Sequence, residues 1–180
     1  AIKQITTGKS VFKLRASQQN YAFNQYGIAG INIKNIMLEG LSISEYSTSG
    51  VTTDESINAG NYHIKNCIFT NVAIRFFEYG INFSSVAYLN IFDKVLVYNC
   101  TTGILIDKGS ASENGGQTRF YGCTTASCDT GFNLNSVNTS TGSFALFGCT
   151  LSEGDTGLVV GEECIVYMSG CEIESNSIAG

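Results

Sequence analysis

The chain has 180 residues, of which 43% are hydrophobic and only 14% charged, with 20 glycines and no proline. That composition excludes a disordered segment and suffices for one domain with a sizeable core. A net charge of −5 argues against the basic face of a nucleic-acid binder, and no apolar run is long enough to span a membrane.

Residues 1–30 are the least regular part of a single domain covering 1–180. Val11-Phe12-Lys13-Leu14 alternates like a strand, and Gln18 to Gln25 is polar and turn-rich. From Ile31 to Gly180 regular coils are expected, interrupted by loops at 45–60, 107–117 and 135–143. No Met or signal-peptide pattern opens the chain, and Ser177-Ile178-Ala179-Gly180 stops where a strand should begin. Both ends are therefore expected to be cut from a longer polypeptide.

The organising signal is a repeat. Phe120-Tyr121-Gly122-Cys123-Thr124, followed by Asp129-Thr130-Gly131-Phe132, returns as Phe147-Gly148-Cys149-Thr150, followed by Asp155-Thr156-Gly157-Leu158. One offset relates all four matched pairs, which marks a structural repeat. Each unit holds three short strand-like pieces, the last opening with glycine as in Gly103-Ile104-Leu105-Ile106. Such short strands are not stable as isolated hairpins. If each unit winds one full turn, every strand pairs with its equivalent in the next turn at about 4.8 Å. The expected fold is an all-β, single-stranded parallel β-helix of roughly 6–7 coils. A β-sandwich is the alternative, but it gives no reason for a constant register.

A sharp corner between short strands favours a left-handed backbone, which Gly and Asn tolerate best. The corner series reads Asn35, Asn66, Lys94, Gly122, Gly148, Gly170, with Lys94 as the exception. Alternation then predicts three inward columns. One is Ile64, Phe92, Phe120, Leu146, Met168; another is Cys67, Val95, Cys123, Cys149, Cys171; the third is Ile81, Ile104, Phe132, Leu158. The seven cysteines are an odd number without a CxxC pair, so they read as reduced, buried fillers that fit assembly in a reducing cytoplasm. Cys100 and Cys128 fall at equivalent positions, where they either bridge or pack a turn.

Outward positions carry the candidate chemistry. Lys65, Asp93, Tyr121, Phe147 and Ser169 form one expected outward column, with Lys65 beside Asp93. Exposed Ile91, Leu96, Leu105, Tyr121 and Phe147 suggest a partner surface. Tyr121 and Phe147 read alternatively as a stacking ladder for sugar rings, with Asp107 on a loop rimming a groove. Asp129 and Asp155 occupy equivalent turn positions, with Glu153 close by. One turn apart, two carboxyls approach the spacing used in retaining glycoside hydrolysis, about 5 Å. Asp before Thr-Gly is equally a turn former whose side chain accepts backbone hydrogen bonds. His63 is the single histidine and has no nucleophile beside it. No cofactor or metal is expected, because no acidic or Cys/His cluster has ligand spacing.

Gly30-Ile31-Asn32-Ile33-Lys34-Asn35-Ile36-Met37-Leu38-Glu39-Gly40-Leu41 and Tyr62-His63-Ile64-Lys65-Asn66-Cys67-Ile68-Phe69 resemble the pectate-lyase superfamily of right-handed β-helices. Within it, the short coils, low charge and irregular loops are most similar to bacteriophage tailspike proteins, over residues 28–180. The resemblance implies a homotrimeric virion protein of the phage tail that binds host surface polysaccharide, with many such proteins cleaving it by hydrolysis or β-elimination. It carries over no particular catalytic residue: the calcium-binding Asp cluster and arginine base of pectate lyases are not visible, nor is the aspartate set of polygalacturonases.

Overall fold

A computed structural model describes residues 2–6, 12–14, 17–18, 26–29, 32–40, 49–53, 62–65, 67–83, 86–107, 117–135, 142–161, 164–174 and 176–177. Among these residues every regular element is a strand. In chain order they are Ile2–Thr6 (β1), Phe12–Leu14 (β2), Ser17–Gln18 (β3), Tyr26–Ala29 (β4), Asn32–Gly40 (β5), Ser49–Thr53 (β6), Tyr62–Lys65 (β7), Ile68–Arg75 (β8), Tyr79–Phe83 (β9) and Val86–Tyr88 (β10). Ile91–Asp93 (β11), Leu96–Tyr98 (β12), Thr102–Asp107 (β13), Thr118–Tyr121 (β14), Thr124–Ala126 (β15) and Thr130–Asn135 (β16) follow. Gly142–Phe147 (β17), Thr150–Ser152 (β18), Thr156–Val160 (β19), Cys164–Ser169 (β20) and Glu172–Glu174 (β21) complete the set.

The strands stack in parallel as a β-solenoid. Turns 91–107, 118–135 and 142–160 each contribute three strands in sequence. The first strands of these turns pair β11-β14-β17-β20, the second β12-β15-β18-β21, and the third β13-β16-β19. The first two ladders meet at β8, a long strand that pairs with both β11 and β12. β9 and then β6 continue the third ladder. A separate sheet holds β10, β7, β4 and β3, in which only β3 and β4 run antiparallel. Strand β6 lies inside the stretch 45–60 expected as loop, with Val51 opposite Ile81. Strands also run through the irregular-looking start, where β1 pairs with β5. The central parts of the loops expected at 107–117 and 135–143 lie outside the described residues.

The corners explain the winding. Asn35, Asn71 and Lys94 have φ of 56°, 52° and 53°, and Gly122, Gly148 and Gly170 continue the column at 54°, 60° and 62°. Asn71 Nδ2 donates to Asn35 Oδ1 at 2.9 Å, so the asparagines also bond from turn to turn. The corner expected at Asn66 is therefore at Asn71, five residues later; Asn66 itself lies outside the described residues. The shift has a packing cause. Phe92 pairs with Phe69, not Ile64, and their rings stack at 4.9 Å with Phe120 stacked on the other side at 4.9 Å. Ile64 pairs with Ala87 in the separate sheet. Val72 accordingly takes the place expected for Cys67, opposite Ile36, with Val95, Cys123, Cys149 and Cys171 following. Cys67 instead stands level with Asn90, whose Oδ1 accepts its backbone N–H. The expected neighbours Lys65 and Asp93 are likewise apart: Lys65 lies opposite Ala29 and Tyr88, and Asp93 opposite Thr70 and Tyr121.

The third inward column is as expected, Ile81-Ile104-Phe132-Leu158, and all four are buried. A second corner column passes through Phe76, Asn99, Ser127 and Glu153, each with positive φ. All seven cysteines are free, five of them buried. Cys123 Sγ donates to the Phe92 carbonyl at 3.3 Å and Cys171 Sγ to that of Leu146 at 3.2 Å, one turn back in each case. A thiol thus fills the tube and weakly satisfies a carbonyl.

Candidate functional site

Side chains alternate across the short strands β14, β17 and β20. Phe120 and Leu146 point inward and are fully buried, so their neighbours must point to solvent. Register fixes which outward residues meet. Arg119, Ala145 and Tyr167 form one row, and Tyr121, Phe147 and Ser169 the next. Ala145 is the small member. Its methyl leaves a hollow between Arg119 and Tyr167, walled by the aromatic row beside it. The result is an open groove of about 510 Å³ whose lining also includes Gln117 and Ser143.

Parallel stacking holds the Tyr121 and Phe147 rings one strand spacing apart. Their centroids are 5.3 Å apart with planes 14° from parallel. Phe147 is 39% exposed and Tyr167 61% exposed, large values for side chains of this size on a sheet. Gln117 is fixed from the backbone: its N–H donates to the carbonyl of Ser143 at 2.7 Å. Its amide, the Arg119 guanidinium and the Tyr167 phenol are polar groups at the edges of an aromatic floor. Such an arrangement offers flat apolar faces for a ring and hydrogen-bonding groups around it.

The carboxylates lie elsewhere. Glu153 sits at the second corner with φ 57°, exposed, and its Oε2 accepts the Ser127 hydroxyl at 3.0 Å. Two residues on, the Asp155 and Thr156 amides both donate to the Asp129 carbonyl, at 3.1 and 2.8 Å. Asp129 and Asp155 are therefore neighbours in one column, both exposed. Strands β15 and β18 separate this corner from the Tyr121–Phe147 row. Asp107 ends β13 in the third ladder, opposite Asn135. His63 lies in β7, opposite Gly27 and Val86. Asp129, Asp155 and Glu153 are not among the described residues that line the groove. The structure thus joins Tyr121 with Phe147, and Asp129 with Asp155 and Glu153, but keeps the two groups on different faces.

Burial and neighbouring groups shift several pKa values away from the groove. The hydrogen bond within each of the pairs Cys123–Cys149 and Cys100–Cys128 pushes the Cys123 and Cys100 thiols up, with burial adding to it, and draws their partners Cys149 and Cys128 down. Burial and then the charge of Glu78 push the Tyr79 phenol up. Among the described residues no group of three or more His, Cys, Asp or Glu side chains could hold a metal ion.

Arg119, Ala145 and Tyr167 escaped sequence reasoning. Their signal was available: the same register that aligns Tyr121 with Phe147 aligns all three, two residues earlier in each strand. Of the other apolar positions expected outside, Leu96 is exposed at 39%, and Ile91 and Leu105 are half-buried.

Fold and groove together define an all-β parallel solenoid with a solvent-facing aromatic groove on one of its faces. Comparison with protein families, with curated proteins and with solved structures gives no match.

Proposed function

We propose that this chain is a segment of a bacteriophage tailspike-like β-helix that binds a host surface polysaccharide in the groove over Ala145. The stacked Tyr121–Phe147 pair beside that hollow is the observation that carries the reading. A pyranose ring has one face of C–H groups, which suits an aromatic floor, and a rim of hydroxyls, which suits Arg119, Gln117 and Tyr167. The finer reading is a right-handed helix of roughly 6–7 coils that assembles as a homotrimer in the virion tail after folding in the host cytoplasm. Exposed Leu96, Val159 and Val160 support a subunit-packing role for the other faces.

The test is binding of host surface polysaccharide by the chain and by Tyr121→Ala and Phe147→Ala variants. Each variant should weaken binding about tenfold while keeping the circular dichroism of the parent. Retained affinity in both would remove the groove from the reading.

The stacked, exposed Asp129–Asp155 pair favours a second activity: cleavage of the same polymer, with Glu153 assisting. New reducing ends would mark hydrolysis and unsaturated sugars would mark elimination. Cleavage by an Asp129→Asn/Asp155→Asn variant at the parent rate would sink this assignment and leave a non-catalytic adhesin or trimer scaffold.

A further inference from the structure

We propose that the groove selects a saccharide carrying a carboxylate, such as a uronic acid unit, and that Arg119 is the residue that selects it. The inference rests on the saccharide reading of the same groove.

Arg119 is exposed on β14, with Ile91 opposite on one side and Ala145 on the other. Neither neighbour is charged, and Arg119 forms no ion pair with any described residue. Among the described residues, then, its guanidinium has no acidic partner, on a chain whose net charge is −5. A planar guanidinium offers two parallel N–H donors, the geometry that a carboxylate accepts bidentately. The small Ala145 leaves room beside it for the acid group of a bound sugar.

The neighbouring row sharpens the choice. Asp93 stands opposite Tyr121, so its negative charge lies at the β11 end of the aromatic row. It disfavours an anion there and leaves the Arg119–Ala145–Tyr167 row as the place for one. A bound unit would then lay its C–H face on Tyr121 and Phe147 and turn its carboxylate toward Arg119. A neutral sugar would stack equally well but would offer Arg119 only hydroxyl acceptors, not a charge-assisted bidentate pair.

The experiment probes the chain with an array of acidic and neutral bacterial surface polysaccharides. Titration calorimetry then compares the strongest binder with its carboxyl-reduced form, in which each uronic acid has become a neutral sugar. The strongest binders should carry uronic acids, and carboxyl reduction should weaken them about tenfold or more. Arg119→Gln should cost the native polymer the same factor and the reduced polymer clearly less, since only a hydroxyl contact is lost there, while Arg119→Lys should recover part of the loss. Arg119 is exposed, so thermal melts of both variants should match the parent. A neutral strongest binder, or an Arg119→Gln loss equal for both forms, overturns the carboxylate inference. If Tyr121→Ala and Phe147→Ala still weaken binding in that case, the saccharide reading stands without it. An array with no binder sensitive to those two substitutions overturns the saccharide reading itself.

Discussion

Substituting alanine for Gly131, with Gly148→Ala as its control, separates two reasons for glycine in this solenoid. A Cβ at Gly131 would lie 2.5 Å from the Gly157 carbonyl oxygen and 2.7 Å from Thr125 Oγ1. The first contact is backbone of the next turn and cannot rotate away. The same approach recurs along the ladder, where a Cβ at Gly103 would lie 2.6 Å from the Gly131 oxygen. Relief requires the turns to part by about 1 Å, which forfeits a quarter to a half of the local dispersion well. It also lengthens the hydrogen bonds between β16 and β19. Overpacking of this kind costs about 3 kcal/mol, or about 6–12 °C in Tm for a chain of this size. At Gly148 a Cβ meets nothing within 4 Å, but φ is +60°. Only the left-handed backbone penalty applies there, about 1–2 kcal/mol and so about 2–8 °C. Thermal unfolding followed by circular dichroism gives both numbers. A Gly148→Ala variant that melts as low as Gly131→Ala would refute the claim that close approach, not backbone conformation, dominates at the third strand.

Phe92→Ala removes the middle ring of the Phe69–Phe92–Phe120 stack and should cost about 3–5 kcal/mol, seen as a lower urea midpoint. Asn71→Ala loses both the 2.9 Å bond to Asn35 and tolerance of φ 52°, and should destabilise by about 1–2 kcal/mol, with Asn71→Gly recovering the backbone share. Ellman's reagent at pH 8 should leave the five buried thiols of the folded chain unlabelled and react with Cys164 and Cys171 first.

The repeat was legible where strands are short and corners are glycine. Gly122, Gly148 and Gly170 punctuate the sequence visibly, and the registers of β14 to β21 follow from them. The earlier turns were harder for a physical reason. Lys65-Asn66-Cys67 and Thr70-Asn71-Val72 both offer an asparagine followed by a small apolar residue, and local chemistry does not choose between them. The choice is made by tertiary packing: Phe69 fits the ring of Phe92, while Ile64 belongs to a strand of a separate sheet. The second corner column was invisible for the opposite reason. Phe76, Asn99, Ser127 and Glu153 share a backbone conformation but no residue type. The groove was half legible, because reading by type finds aromatics and overlooks the alanine whose smallness makes the hollow.

Separation of the two candidate sites has a consequence that binding and cleavage assays can resolve. Tyr121 precedes the glycine corner, β15 then crosses one face, and Asp129 follows the next corner. Three strand residues span about 10 Å, so a sugar stacked on Tyr121 and Phe147 does not place the same unit between Asp129 and Asp155. Any cleavage at the acids must act on a different unit of a chain long enough to wrap the corner. The two sets of substitutions should then act independently on polymer binding: Asp129→Asn/Asp155→Asn should leave the dissociation constant within about twofold, and combining it with Phe147→Ala should give the sum of the separate free-energy changes. Short oligosaccharides should fill the groove without being cut, whereas long ones should be cut with a KM that rises in Phe147→Ala and a kcat that falls in the acid variant. Coupling of more than about 1 kcal/mol between the two sets would place them in one site and contradict the separation that the register imposes.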